Sequence, residues 1–337
     1  MIEIDKIENG FLNNTISYEQ KQLLTMYLNR LHSNNVPVIY NLRHLRKLIN
    51  IHKKEQNRYF GEYRNGLYRT FYIHKKSGGY RKIEAPKEKL GIIQKWIKRE
   101  IVDKFLVSEY AKGFKKKTNI VDNALSHCNK DVLLNIDIKD FFPSITYDKV
   151  FRMFNYMGYT KEVSHLLTRL CTNSDNVLPQ GSPASPSISN LVNLRLDKRL
   201  SSLANVIGAS YTRYADDITF SGSKGLLKYK ELIISIIKEE NYEINNKKLR
   251  ITYNNQRQEV TGLIVNKKVS PNAKIIKELN NAIYYINKYG LQSHMDHENV
   301  NKSAYKEHLY GLAYFVNMVD RKKGQQYLSQ LDKLIWI

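Results

Sequence analysis

The stretch SYTRYADDITFS, Ser210 to Ser221, constrains this chain more than any other. Tyr211, Thr212, Tyr214, Ile218, Thr219 and Phe220 favour strands, yet two adjacent aspartates interrupt them. Strands deplete aspartate, and neighbouring carboxylates repel unless a cation lies between them. The conflict eases if Asp216 and Asp217 stand at the tight turn of a hairpin, where carboxylate oxygens can take hard divalent cations. A catalytic metal site needs a further ligand. Asp137, at the end of the apolar run VLLNIDI, offers one. That run suits a central strand. A mixed sheet that sets it beside the hairpin gathers three carboxylates. Two metals about 4 Å apart would then activate a hydroxyl and stabilise a leaving phosphate oxygen. Taken alone, the aspartates fit a solvated Asp-Asp turn and an unrelated strand end equally well.

Charge narrows the partners. The 337 residues hold 54 Lys+Arg against 32 Asp+Glu, a formal +22 with a pI near 9.7. Such an excess favours polyanions, nucleic acid first. Lys, Asn, Ile and Tyr are abundant throughout, so coding preference is the competing explanation. The 24 tyrosines add stacking capacity. A hydrophobic share of 42% and a mean hydropathy of −0.51 describe a soluble globular chain of two or three lobes. No apolar stretch is long enough to span a bilayer, and MIEIDKIENG has no signal core. The expected location is the cytoplasm, with no membrane partner. Cys128 and Cys171 imply neither a disulfide framework nor a zinc site.

Residues 1–65 read as helical and polar. Two strands, Tyr68–His74 and Tyr80–Glu84, flank a Gly-Gly turn. An amphipathic helix follows, then a shorter one over NIVDNALSHCNK. After the Asp137 strand come helices at 147–157 and 160–171, and a helix capped by Ser185 with Pro186 first. The hairpin leads to a helix near 225–240 and strands near 248–254 and 258–265. Ser270-Pro271 reads as another helix start and Gly290 as its stop. Ile276, Leu279, Ile283 and Ile286 recur at helical spacing, as do Tyr305, Leu309, Leu312, Val316 and Val319, so the tail is a small helical domain. Residues 245–337 hold 15 Lys+Arg against 7 Asp+Glu, which suits a duplex clamp or a solvated face.

YADD after a strand, DIKDFF at the end of an upstream strand and LPQGSPASP between them, in that order, resemble the motifs of reverse transcriptases. The resemblance implies an α+β right-hand polymerase. Its parts would be an N-terminal extension of the fingers (1–65), fingers (66–130), palm (131–265, an antiparallel ferredoxin-like sheet with fingers elements near 147–180) and a helical thumb (266–337). It makes Asp137, Asp216 and Asp217 the ligands of two Mg2+ ions, with Mn2+ as the alternative. Phe142 matches the aromatic that excludes a ribose 2′-hydroxyl; core packing beside Phe141 is its other reading. Gln180 matches a residue near the incoming deoxynucleotide, and Gly181 lets backbone approach closely. Asp140 stands either at the triphosphate or in an exposed turn. Arg81 matches the arginine that grips the triphosphate, helped by Lys75 or Lys76. Lys248 matches a lysine near the leaving pyrophosphate, or is solvated.

NALSH, with Asn123 and His127 four apart on one face of a helix, and VTG, Val260-Thr261-Gly262, resemble two signatures of the retron reverse transcriptases. That branch implies recognition of a cognate structured noncoding RNA, with DNA synthesis primed from the 2′-hydroxyl of an internal guanosine. The DNA product stays joined to the RNA. These five residues would then bind RNA. The branch also implies a role in phage defence with a separate effector protein, since no effector, maturase, endonuclease or ribonuclease H domain is expected in this chain. The competing readings are a reverse transcriptase of group II intron or diversity-generating type, and a non-catalytic RNA-binding scaffold.

Overall fold

The computed structural model describes residues 15–61, 64, 66–75, 78–298 and 304–336. It forms two units interleaved along the chain: Met1–Lys115 with Ile138–Arg199 and Ser235–Ile244, and Lys116–Asp137 with Leu200–Ile234 and Asn245–Ile337.

The first unit carries the hairpin of β1 (Tyr68–His74) and β2 (Tyr80–Pro86), paired in register from Tyr68↔Pro86 to His74↔Tyr80. Its turn closes through Lys75 N–H to Gly79 O at 2.9 Å, with Gly78 and Gly79 at positive φ. Lys76 lies outside the described residues. Helices Glu88–Glu100, Tyr147–Tyr156, Lys161–Cys171 and Ser185–Val192 supply the core, with Leu90, Ile93, Ile97, Phe154 and Leu167 buried. Arg64 is buried and caps the end of helix Lys161–Cys171. Its guanidinium donates to the carbonyls of Arg169 (2.5 Å) and Thr172 (3.0 Å), at the helix end, and of Asn173 (2.8 Å) just beyond it.

The second unit is built on β3 (Val132–Asp137), β4 (Ser210–Tyr214), β5 (Asp217–Gly222) and β6 (Arg250–Tyr253). The order is β4-β5-β3-β6, every neighbouring pair antiparallel. β3 is central, which explains its unbroken apolar run: Val132 to Ile136 are all buried. Asn135 is the polar exception, and its amide donates to Thr219 on its cross-strand partner at 3.2 Å.

A short hairpin of β7 (Glu259–Val260) and β8 (Leu263–Ile264) follows. Ala124, Leu133, Val260, Leu263 and Val265 form a buried cluster with Phe315 and Val319 packed against it. Helices Ala273–Tyr289, Leu291–His297, Tyr305–Val319 and Arg321–Asp332 close on a second cluster of Leu279, Ala282, Ile286, Leu309, Ala313, Val316 and Leu331. The apolar periodicity of the tail therefore faces a common core. Among the described residues no helix is long and apolar enough to cross a membrane, and both cysteines are free.

Several local expectations need correction. Ser185 does not cap its helix: it is already helical, and its hydroxyl donates to Pro179 O at 2.8 Å. Nor does Ser270, which bridges Ile264; Asn272 caps helix Ala273–Tyr289 by accepting from Lys274 N–H at 3.0 Å. The strand expected over 258–265 is two short strands, because Thr261 (φ 47°) and Gly262 (φ 83°) turn the chain back. The helix expected near 225–240 is α-helical only over Lys230–Glu239, after a 3-10 segment Lys224–Tyr229. Gly290, at φ 83°, does stop its helix.

Candidate active site

The hairpin turn between β4 and β5 consists of Ala215 and Asp216 alone, since Tyr214 pairs with Asp217. A two-residue turn needs positive φ at its first position, and Ala215 has φ 57° without being glycine. Buried Arg213 steadies the turn by donating to Ala215 O at 3.2 Å. Asp216 thus projects from a strained, fixed loop, and Asp217 opens β5 directly opposite Asp137 at the end of β3.

Directly opposed like charges destabilise a sheet. The electrostatics record this: burial, then Asp216, then Asp137 push the Asp217 carboxyl up to about 7, against Arg250 and Lys248, which pull it down. The three carboxylates offer hard oxygen donors, the chemistry that suits a divalent cation. The ion's double charge would relieve the repulsion, so the residues fit such a group. Among the described residues no three His, Cys, Asp or Glu side chains are gathered into a ready ligand set. The Asp137 carboxylate is engaged on both oxygens: Oδ1 accepts from Lys248 Nζ at 2.7 Å and Oδ2 from Asn245 Nδ2 at 3.3 Å. Lys248, half exposed, thus pairs with Asp137 and neutralises its charge. Asn245 and Arg250 carry no motif that sequence reasoning could have read.

The nucleotide-binding candidates other than Lys248 belong to the first unit. Arg81 lies exposed on β2, opposite Ile73, and Lys75 is exposed at the hairpin turn. The Gln180–Gly181 turn is bound to the same strand, because Glu84 N–H donates to Gln180 O at 2.7 Å. Gly181 has φ 132°, and a Cβ there would stand 2.8 Å from Glu84 O. The close backbone approach that this glycine permits is thus to β2. Asp140 is exposed at φ 45°, and its carbonyl accepts from Ser144 N–H at 2.9 Å, the geometry of a turn. Phe142 is half-buried, its ring 5.4 Å from Phe141 and 6.0 Å from Phe114, while Phe141 takes the buried place. Phe142 therefore keeps part of its surface free.

The two short motifs meet. Helix Ile120–Leu125 ends before His127, which follows in a turn, and both Asn123 and His127 are buried. Asn123 Nδ2 donates to Thr261 Oγ1 at 3.3 Å, and Ala124 packs with Val260. His127 reaches Ser221 and Thr212 on the β4–β5 hairpin. Asn123, His127 and Val260, expected to bind RNA, are buried. Half-buried Thr261 and exposed Gly262 are the members open to a partner.

Comparison with known proteins extends the picture. Residues 73–266 match the family described as reverse transcriptase (RNA-dependent DNA polymerase). Over 91% of this chain and 94% of its own length, a protein of Escherichia coli, Retron Ec86 reverse transcriptase, is 35% identical. Retron Mx162 reverse transcriptase of Myxococcus xanthus is 33% identical over 79% of this chain, which spans 61% of that protein. Among solved structures, a telomerase of Candida albicans in complex with a telomeric RNA fragment aligns with TM-score 0.47 and 11% identity. It covers 78% of this chain and 56% of its own.

Proposed function

We propose, from the fact that this chain belongs to the reverse transcriptases and among them to the retron enzymes, that it copies part of a cognate structured noncoding RNA into single-stranded DNA, primed by the 2′-hydroxyl of an internal guanosine. RNA-directed DNA polymerisation, dependent on divalent metal, is the activity of the family. The finer reading rests on one observation: Asp137 and Asp217 are cross-strand partners with Asp216 beside them in a strained turn.

In this reading Asp137, Asp216 and Asp217 hold two Mg2+ ions. Bound there, the ions would supply activation of the attacking hydroxyl and neutralisation of the leaving phosphate oxygens. The chain's own groups do the rest. Arg81, with Lys75, binds the triphosphate through its guanidinium fork. Gln180 and the Gly181 backbone bound the nucleotide, and Asp140 presents its turn nearby. Phe142 lies against the sugar and rejects a 2′-hydroxyl. Lys248, paired with Asp137 in the absence of metal, would face the leaving pyrophosphate.

The palm would span 131–265, the thumb 266–337, the fingers 66–130 and their extension 1–65. RNA would be read by shape and backbone, with Thr261 and Gly262 at the surface and Asn123, His127 and Val260 beneath them. A cytoplasmic role in phage defence with a separate effector protein completes the reading.

The test is Asp216→Asn and Asp217→Asn, assayed for Mg2+-dependent deoxynucleotide incorporation on an RNA template. Both should abolish synthesis and leave RNA binding within about twofold; substantial residual synthesis removes the metal assignment. Sequencing the nucleic acid that copurifies from the native host should yield RNA joined to DNA by a 2′–5′ branch. A preparation without nucleic acid would count against the retron product.

A further inference from the structure

His127 is fully buried. Its Nδ1 lies 2.7 Å from Ser221 Oγ and its Nε2 2.8 Å from Thr212 Oγ1. Thr212 belongs to β4 and Ser221 to β5, the two strands whose turn carries the aspartate pair. Thr212 is four residues before Asp216, and Ser221 four after Asp217. The register pairs Ser210 with Ser221 and Thr212 with Thr219, so the two hydroxyls are diagonal neighbours on one face of the hairpin. One planar ring, bonded at both nitrogens, spans that diagonal.

A buried polar ring costs stability unless both nitrogens are satisfied, and an apolar side chain would fill the same space without that demand. What the histidine adds is direction. Two short bonds to adjacent strands fix how far one strand can slide along the other. The aspartates sit at the end of those strands, where any slide moves Asp216 and Asp217 relative to Asp137. A misplacement of about 1 Å at reacting groups can cost about 100-fold in rate.

The same short segment reaches the other way. Asn123, four residues before His127, donates to Thr261 at 3.3 Å, while its Oδ1 is buried with no hydrogen-bond partner. The Asn-Ala-Leu-Ser-His segment therefore joins the Val-Thr-Gly turn to the β4–β5 hairpin.

We propose that His127 is a positioning residue: it sets the register of the hairpin that carries Asp216 and Asp217, and through Asn123 it ties that register to the Val-Thr-Gly turn. This rests on the aspartates being the metal-binding groups. The test uses Thr212→Val and Ser221→Ala, which remove one hydroxyl each with little change of shape, singly and together in the full chain. His127→Leu serves as the harsher comparison. Three readouts are taken: Mn2+ affinity by electron paramagnetic resonance without nucleotide, kcat and KM for dTTP on poly(rA) primed with oligo(dT), and the thermal transition.

The double variant should still unfold cooperatively. Its Mn2+ affinity should fall about 3- to 10-fold and its kcat about 10- to 100-fold, with KM for primer–template within about twofold. Parent-like Mn2+ affinity and kcat, with loss confined to thermal stability, would overturn the proposal and leave His127 a packing residue. A parent without polymerase activity whose Mn2+ affinity still falls in the variants would refute the polymerase reading and keep the positioning one.

Discussion

The ammonium of Lys248 stands 2.7 Å from Oδ1 of Asp137, the residue that pairs with Asp217 across the sheet. The lysine is half exposed and the aspartate mostly covered, so the pair is a surface interaction worth at most about 1 kcal/mol. It is strong enough to hold the carboxylate and weak enough to yield to a doubly charged ion.

Lys248→Ala should therefore free Asp137. In titrations without nucleotide, Mn2+ affinity is expected to rise by about 2- to 5-fold, the range that an exposed ion pair can supply. The same variant should incorporate deoxynucleotides more slowly if the lysine moves to the leaving pyrophosphate. Unchanged or weaker metal binding would show that the ion pair does not compete.

Phe142 rests against Phe141 and Phe114 but keeps part of its ring uncovered. Phe142→Ala should admit ribonucleotides, lowering the discrimination between dNTP and rNTP by about 10-fold or more. Single-nucleotide incorporation with each substrate measures it. Intact discrimination would return Phe142 to a packing role.

Gly181 has no room for a side chain. A Cβ would press 2.8 Å from Glu84 O and 3.0 Å from Ile83 Cγ2, at a φ of 132° that residues with a Cβ rarely adopt. Gly181→Ala should destabilise the chain by about 2 kcal/mol or more and displace Gln180, whose carbonyl is bonded to β2. Urea unfolding of the two proteins checks the first effect; a difference under about 0.5 kcal/mol would contradict it.

His294 is buried in the helical tail and hydrogen-bonded to Tyr305 Oη at 2.9 Å. Burial lowers its pKa; Glu298 opposes the shift and His297 adds to it. The unfolded chain therefore binds this proton more readily than the folded one. Stability from this site is complete above the ordinary histidine pKa of about 6.5 and declines as pH falls below it. His294→Gln should flatten that decline in thermal melts between about pH 7 and pH 5. An unaltered slope would assign the decline to other groups.

Much of this was legible in the sequence because it depends on local chemistry. Strand-forming residues on both sides of Asp216-Asp217 suited a hairpin, and the apolar run VLLNIDI suited a central strand. Apolar spacing marked the tail helices, and Gly290 marked a stop that no residue with a Cβ makes as readily. The caps expected at Ser185 and Ser270 did not form because residue type alone does not say where the helical backbone begins: Ser185 is already helical behind Ala184, and Asn272 caps the later helix.

What the sequence determined by itself is the set of parts: two aspartates on strands and a third in the turn beside them, the ordered motifs and the basic composition. Only the tertiary structure decided how they are used. Cross-strand register, a property of backbone pairing between segments about 80 residues apart, put Asp137 opposite Asp217 and turned separate charges into mutual repulsion. Other long-range contacts buried Asn123, His127 and Val260, residues whose motifs alone had pointed to an RNA partner. Side-chain type sets what a group can do, but burial and distance are fixed by partners far away in the chain.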